Sequence, residues 1–549
     1  MAYPKRNATQ HAGNSMDDLG AELLEALDED QAAAARQLRG PVCIIAGPGS
    51  GKTRVVSHRI AYGIAQGVYD SSKVLALTYT NKAAAELRTR LRSLGAGSVQ
   101  VRTFHAAALS QLQFFWPQLT GSISPKLVTN KFQLVKDAAE NLGFRVDDSS
   151  ARDLVSAIEW HRYALIEPTL ESAKRATSAV SPEKFLELMA SFETLKQERR
   201  IIDWEDALML CIGLMRSEPR MLEQFQQQYR FFTVDEYQDI SPLQQALLET
   251  WLGDRQDICV VGDPRQTIYS FAGASSSFLL GFASEYPQAE VFELNRNYRS
   301  SVEIVSYANK VLGPELAAMR QLTGKPVLQE YESIGAEASG LALKIRQLLD
   351  SGTQASEVAV LVRANHQLEP IETALKELGI PIQVRGAGRF FAKPEVAQAM
   401  IAIRALGVTE SEKPLFAQIS DVVSSLGWRS QGAGEKNQNL GWFFEVLDEL
   451  GESVSVTDYI RELQERERSG HEPQAEAVTL ATIHATKGLE WRAVFLAGVN
   501  KNSFPSSYAQ TIDQLAEERR LFFVAVTRAQ ELLQISYSLD RGPSEFVSI

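Results

Sequence analysis

The chain has 549 residues, enough for three or four domains of ordinary size, each with its own core. Hydrophobic residues make up 44% and charged residues 23%, an ordinary globular balance that excludes a disordered or collagen-like chain. The 56 basic and 68 acidic residues leave a net charge of −12, which excludes a polybasic coat binder but not a protein with a locally basic groove.

In chain order, residues 1–16 are polar and read as a loose tail. Residues 41–45 are a short apolar run ending in a glycine-rich turn, and 52–65 read as a helix; this strand, loop and helix open an α/β domain. A second strand is expected at 74–78 and a second helix at 81–94, where alanines and arginines recur at helical spacing. From 106 to 200 there is no clear strand pattern, while 132–142 and 182–197 are strongly helical, so this stretch reads as a helical insertion. Strand signals return at 231–234 and 258–261. A later set at 358–362, 478–482, 494–496 and 532–536 alternates with helices and marks a second α/β domain. Between them, 397–476 is a mixed segment with a loop expected at 430–439. Its best-defined element is a helix after Ser455, a plausible N-cap, with Val456, Tyr459, Ile460 and Leu463 on one apolar face. That face is expected to dock on the second α/β domain, making a compact lobe.

Three distant cysteines, Cys43, Cys211 and Cys259, suffice neither for a disulfide framework nor for a four-thiolate metal site, and they fit a reducing compartment. No uncharged run approaches the ~18 residues that span a bilayer, and the first residues lack a signal-type apolar stretch. A soluble cytoplasmic protein without membrane contact is expected.

Ala46, Gly47, Pro48, Gly49, Ser50, Gly51, Lys52 and Thr53 fit the phosphate-loop pattern, with Ala in place of its first Gly. Glycines let backbone N–H groups turn inward around phosphate oxygens. Lys52 brings a positive charge to the β- and γ-phosphates, and the Thr53 hydroxyl is a magnesium ligand. The loop lies between a strand and a helix, whose N-terminus adds a favourable dipole. The second half of such a site is an acidic residue ending another buried strand. Asp235, after 231–234, is placed to hold magnesium, and Glu236 to take a proton from the attacking water. Asn81-Lys82-Ala83-Ala84 lacks the Asp of a guanine-reading motif, so the nucleotide is ATP with Mg2+. One phosphate loop and two α/β domains suggest that the second domain contributes arginines, and Arg299 and Arg528 stand in conspicuous contexts.

These residues resemble the UvrD/Rep/PcrA helicases of superfamily 1, from about residue 27 to the end. The motifs stand in the family's order: LDEDQ (27–31), AGPGSGKTR (46–54), LTYTNKAAAELR (77–88), TFHA (103–106), VDEYQD (234–239), VGDPRQTIYSFAGA (261–274), LNRNYRS (294–300), TIHATKGLEW (482–491) and EERRLFFVAVTRA (517–529). The resemblance implies an α/β protein of two RecA-like domains with parallel sheets. The first would span 17–105 and 201–297 around a helical insertion at 106–200. The second would span 298–396 and 477–549 around a reduced insertion at 397–476.

It also implies roles. Gln31 would read the adenine edge, with Arg54 and Tyr298 against the base and Glu490 near the ribose. Gln266 would sense the γ-phosphate and link it to the DNA track, and Arg299 and Arg528 would be arginine fingers. Single-stranded DNA would lie on Tyr79, Thr80, Asn81, Thr103, Phe104, His105, Tyr269, Phe271 and His484, where rings stack on bases of any sequence. The implied activity is an ATP-dependent 3′–5′ DNA helicase and single-stranded DNA translocase acting on 3′-tailed duplex, in repair, recombination or replication, with a loading factor or nuclease as a protein partner. The alternative is a translocase that displaces proteins from DNA or drives a partner nuclease, as in phage defence, without strong unwinding of its own.

Two departures stand out. The family usually has Trp then Arg where this chain has Phe271 and Ala272, which should weaken the grip at one base. The second-domain insertion is also much shorter than is typical. The final RGPSEFVSI resembles the family's core terminus, so no nuclease domain or zinc module is expected after it.

Overall fold

A computed structural model of the chain describes residues 16–548 except 129, 314, 322–323, 386–388, 408–412, 431, 433, 452–453 and 470–475. The expected tail, 1–16, lies outside the described residues but for Met16, which opens the helix Met16–Glu25. The chain divides into two units, residues up to Leu294 and residues from Asn295, with 48–50 and 80–82 grouped in the second.

The strands of the first unit are β1 (Val42–Ala46), β2 (Val74–Thr78), β3 (Gln100–Thr103), β4 (Lys126–Leu127), β5 (Ile201–Ile202), β6 (Phe231–Val234), β7 (Ile258–Gly262) and β8 (Glu290–Leu294). Six of them form one parallel sheet in the order β3-β2-β6-β7-β1-β8. Its central strands are dominated by apolar residues because both faces are covered, and their threonines, Thr78 and Thr233, are buried with them. Cys43, Leu75, Phe232 and Val260 enter the core on one face, and Ile44, Ala76, Phe231 and Val261 the core on the other. The edge strands β3 and β8 are partly exposed and carry charged or polar residues between their apolar ones, which is why the apolar pattern passes over them.

Because the strands are parallel, all their carboxyl ends lie at one edge, where ligands of open α/β sheets bind. The register pairs Ile45 with Gly262 and Val234 with Val260, which brings the loops after β1, β6 and β7 side by side.

The helical insertion has its own core of Leu134, Leu154, Phe185, Leu188 and Phe192. It is not wholly helical: β4 lies inside it and pairs in parallel with β5 just beyond it, two residues each, too short to give a periodic signal. A largely buried ion network joins it to the start of the helix Trp204–Ser217. Lys131 Nζ meets Glu205 at 2.6 Å and Glu159 at 2.7 Å, while Lys196 Nζ meets Asp206 at 2.7 Å and Asp203 at 3.0 Å.

In the second unit β9 (Arg296–Asn297) pairs with β10 (Ala317–Ala318). The main sheet is built from β11 (Val327–Tyr331), β12 (Val358–Val362), β13 (Ile382–Val384), β14 (Val478–Thr482), β15 (Trp491–Leu496) and β16 (Ala529–Ser538). It is again wholly parallel, in the order β11-β16-β15-β12-β14-β13.

The segment between β13 and β14 corrects two expectations. The helix Val456–Ser469 forms as predicted, with the Ser455 hydroxyl accepting the Asp458 N–H at 3.1 Å. Its apolar face does not need the β-sheet: Tyr459 and Leu463 close a core of the lobe's own with Phe390, Met400, Ile419, Trp442 and Phe443. The Tyr459 hydroxyl donates to the Phe443 carbonyl oxygen at 2.6 Å. A helix from Glu435 to Leu450 takes up half of the loop expected at 430–439, since aromatic packing outweighs the loop-forming composition of its first turn. Residues 470–475 of the segment lie outside the described residues.

Candidate nucleotide and DNA site

β1 ends at buried Ala46 and the chain turns through the glycines into the helix Lys52–Ala65. Gly49 (φ 71°) and Gly51 (φ 82°) take left-handed conformations that a side chain would strain. Gly51 is the N-cap of the helix and makes no side-chain cap hydrogen bond to its first turn. Lys52 Nζ donates to the Ala46 carbonyl oxygen at 3.0 Å, folding its charge over the loop. Thr53 is half-buried in the first turn.

Within the second unit, Asn297 Nδ2 donates to the Pro48 carbonyl oxygen at 2.7 Å and the Tyr298 N–H to that of Gly49 at 2.9 Å. A Cβ on Gly49 would lie 2.7 Å from Asn297 Nδ2. Beside the loop, Gln31 completes a capping box with Asp28: its N–H donates to Asp28 Oδ1 at 2.9 Å and its Oε1 accepts the Asp28 N–H at 3.3 Å. A Cβ on Gly51 would lie 3.0 Å from Gln31 Nε2, so the buried Gln31 amide borders the loop. Arg54 donates to the Ala26 carbonyl oxygen, tying this segment to the helix after the loop.

At the end of β6, Asp235 is buried, and its N–H donates to the Leu77 carbonyl oxygen at 2.8 Å. Burial first and Glu236 second push its carboxyl well above the usual carboxylate range, while Lys52 pulls it down. Glu236 has φ 56°, unusual for a residue with a side chain, and its N–H donates to Asp235 Oδ1 at 2.9 Å.

After β7, Asp263 is fully buried; its Oδ2 accepts Gln266 Nε2 at 2.9 Å, and Gln266 is itself buried. Gln238, in the turn after Glu236, joins these two loops. Its Nε2 donates to Glu236 Oε2 at 2.5 Å, and its Oε1 accepts the Asp263 N–H at 2.9 Å. Neither Gln238 nor Asp263 is singled out by the sequence reading, although both lie inside quoted motifs.

Of the residues expected to touch DNA in this unit, Tyr79 stacks on Tyr269 with ring centroids 5.4 Å apart, and Tyr269 meets Phe271 edge-on at 6.1 Å. Phe271 is 59% exposed, an apolar ring held in solvent. Phe104 is a correction: it is 1% exposed and stacks on Trp251 in the core. The chain passes from strand to helix there, and the first helical turn points Phe104 into the sheet's covered face. Thr103 is also internal, its hydroxyl capping the same helix by accepting the Ala106 N–H at 3.2 Å. His105 is half-buried, with Nε2 2.9 Å from the Tyr163 hydroxyl and its ring edge-on to Trp204. Burial and then Lys131 push its imidazole down to about 4.

In the second unit, Thr80 is exposed and Asn81 half-buried at the start of the helix Asn81–Ser93. Tyr298 is exposed. Arg299 pairs through Nε with Glu490, and its Nη1 donates to the Thr527 carbonyl oxygen at 3.1 Å. Arg528 follows the helix Ile512–Val526 and is 1% exposed. Its guanidinium donates to the carbonyl oxygens of Val524 at 3.0 Å and Leu489 at 3.1 Å. His484 lies in the turn after β14, and burial, with Arg363 second, pushes it down to about 4. Arg363 itself grips buried Glu518, Nη2 to Oε1 at 2.6 Å.

Among the described residues, no helix is long and apolar enough to cross a membrane. Residues 27–287 match the model of the UvrD/REP helicase N-terminal domain, and 292–431 and 407–540 that of the UvrD-like helicase C-terminal domain. The ATP-dependent DNA helicase UvrD2 of Mycobacterium tuberculosis is 38% identical over 558 residues, covering 95% of this chain and 80% of the relative. The ATP-dependent DNA helicase PcrA of Leuconostoc citreum is 28% identical, covering 94% of this chain and 83% of its own length, and PcrA of Bacillus subtilis is 26% identical, covering 95% and 84%. A phosphate loop, a buried acidic strand end and two parallel sheets, matched over most of the chain by these relatives, identify the chain as a member of the UvrD/Rep family, an ATP-dependent DNA helicase.

Proposed function

We propose that this helicase moves 3′ to 5′ along single-stranded DNA and separates the duplex ahead of it, hydrolysing one Mg2+-bound ATP per cycle at the phosphate loop. The observation that carries this reading is the placement of buried Asp235 and strained Glu236 at the carboxyl end of β6, close enough to Lys52 for its charge to act on Asp235.

The residues fit magnesium. A buried carboxyl raised by its surroundings is short of positive charge, and a hydroxyl-bearing residue stands at the helix start. Thr53 and Asp235 would hold the ion, which when bound neutralises charge across the β- and γ-phosphates. Lys52 and the loop N–H groups orient the same phosphates. Glu236 accepts a proton from the attacking water. Gln266 orients the γ-phosphate, and Arg299 and Arg528 stabilise the charge that develops on it. Gln31, Arg54 and Tyr298 hold the base, and Glu490 the ribose.

On the DNA side, Tyr79, Tyr269 and exposed Phe271 form the stacking platform, with Thr80, Asn81 and His484 along the strand. Thr103, Phe104 and His105 act through the fold, as a helix cap, a core ring and a half-buried ring packed on Tyr163 and Trp204. The smaller Phe271 ring, followed by Ala272, favours a second reading: a translocase that clears proteins from DNA, or drives a nuclease partner, better than it unwinds.

ATP turnover with and without single-stranded DNA, paired with unwinding of 3′- and 5′-tailed duplexes, tests both. Unwinding of the 3′-tailed substrate supports the first reading. Protein displacement without strand separation supports the second, and preference for a 5′ tail overturns the polarity.

A further inference from the structure

The side chain of Gln238 reaches both the loop that carries Glu236 and the loop that leads to Phe271. It is fully buried in the short turn Tyr237–Asp239. An amide has one donor end and one acceptor end, and here each is committed. Nε2 donates to Glu236 Oε2 at 2.5 Å and to Asp239 Oδ2 at 3.3 Å, and Oε1 accepts the Asp263 N–H at 2.9 Å.

The path continues on the far side. The Asp263 carboxylate accepts Gln266 Nε2 at 2.9 Å, and the Gln266 N–H donates to the Asp263 carbonyl oxygen at 2.9 Å. The Thr267 hydroxyl returns to the Gln238 carbonyl oxygen at 3.4 Å. Three residues past Gln266, Tyr269 stacks on Tyr79, and Phe271 stands in solvent. The Ser275 N–H donates to the Ile240 carbonyl oxygen at 3.1 Å, so the far end of the aromatic loop is tied to the same turn.

Gly262 shows how tightly the contact is built. A Cβ there would lie 2.4 Å from Gln238 Oε1 and 2.8 Å from Leu279. The backbone of β7 thus leaves room for the amide at its carboxyl end, where any larger residue would push the amide off the Asp263 N–H.

We propose that Gln238 is a positioning residue that holds the Glu236 carboxylate in place and ties it to the Asp263–Gln266 loop, so that a strand seated on Tyr269 and Phe271 changes how fast Glu236 acts. This rests on the reading of Glu236 as the base and Phe271 as a strand contact. Glu236 reaches the catalytic arrangement with a strained backbone, so a side-chain tether is what keeps its carboxylate in a single orientation.

The test compares Gln238→Met, which keeps length but loses all three side-chain hydrogen bonds, and Gln238→Glu, which keeps an acceptor for Asp263 but places a like charge beside Glu236 and Asp239. Steady-state ATP turnover is measured with and without an oligo-dT strand, together with ATP KM, strand affinity and thermal unfolding. Both variants are expected to lose DNA-stimulated kcat roughly tenfold to a hundredfold, the scale of one hydrogen bond to a charged group. ATP KM and strand affinity should stay within about twofold, and the ratio of stimulated to basal rate should fall toward one, which a purely structural loss would not produce. If Gln238→Met does not fold, Gly262→Ala makes the same test by displacing the amide, with the same pattern expected.

Retention of the wild-type stimulation ratio in Gln238→Met or Gly262→Ala overturns the proposal, as does full activity of Gln238→Glu. Glu236→Gln, run in parallel, separates the two levels: if it stays active the base assignment itself is wrong and the proposal falls with it, whereas an inactive Glu236→Gln beside a fully stimulated Gln238→Met rejects the tether alone.

Discussion

Arg299 and Glu490 form an ion pair within the second unit, and Gln530 Nε2 donates to the other Glu490 oxygen at 3.0 Å. Burial acts to raise the Glu490 carboxyl, but Arg299 and the Gln530 hydrogen bond outweigh it and hold the group below its usual range. Both residues are proposed to meet the nucleotide, so each must exchange the other for ATP. Their effects should therefore be coupled. In a double-mutant cycle of Arg299→Ala and Glu490→Gln, kcat/KM for ATP is expected to be non-additive by more than ~0.5 kcal/mol. Additive effects would show that the two residues act on turnover independently of their pairing.

Lys52→Ala is expected to abolish turnover while strand binding persists, because it removes phosphate charge and leaves the DNA track intact. Glu236→Gln should bind ATP and hydrolyse it roughly a hundredfold to ten-thousandfold more slowly. Arg528→Ala should lose a factor of about a thousand or more, although it lies far from the phosphate loop in sequence. Single-turnover hydrolysis with filter-binding of ATP and DNA checks all three.

Phe271 and Phe104 should behave oppositely. Phe271→Ala removes a solvent-exposed ring and should weaken strand affinity by about 1–3 kcal/mol, with DNA stimulation of turnover falling alongside. Phe271→Trp should bind at least as well, since it adds stacking area. Phe104→Ala opens a cavity beside Trp251 and should cost about 3–5 kcal/mol of stability, read by denaturant unfolding. A variant of Phe104 that folded normally but lost strand binding would restore that ring to the DNA track.

The lobe between β13 and β14 closes a core of its own. Leu463→Ala is expected to destabilise it by about 2–5 kcal/mol, while turnover stimulated by single-stranded DNA stays within about twofold at 25 °C. Calorimetry and ATPase assays on the same preparation check this. A large loss of stimulated turnover in a folded variant would make the lobe part of the motor.

Acid should destabilise the first unit through His58. Burial, with Arg54 and Arg90 next, pushes its imidazole from 6.5 down to about 4. Its Nδ1 lies 3.0 Å from the Leu23 carbonyl oxygen and must carry the proton. In the window between about 6.5 and 4 the unfolded chain binds more protons than the folded one, so stability falls as pH falls through it. His58→Gln should flatten that part of the Tm-against-pH curve, and an unchanged slope would show that other groups set the acid sensitivity.

The nucleotide site was legible in the residues because its chemistry forces local solutions. A backbone that wraps phosphates needs glycine at left-handed positions, as at Gly49 and Gly51, and a buried acid must end a strand, as Asp235 does. Several central strands, β1, β2, β6, β7 and β12 among them, were legible for a related reason: covered on both faces, they are dominated by apolar residues. The edge strands β3, β8, β11 and β13 were not, since one exposed side breaks the pattern.

What only the tertiary structure decided is which neighbour each side chain faces. Sequence places Thr103, Phe104 and His105 together in one motif, yet successive residues at a strand-to-helix turn point different ways, sending Phe104 to Trp251 and His105 to Tyr163. The face of the helix Val456–Ser469 was evident from its spacing, but its partner was not, because periodicity fixes which residues are buried and not against what. The same holds for Gln238 and Asp263: 25 positions apart in the chain, they meet only because parallel pairing of β6 and β7 brings their carboxyl ends to one edge.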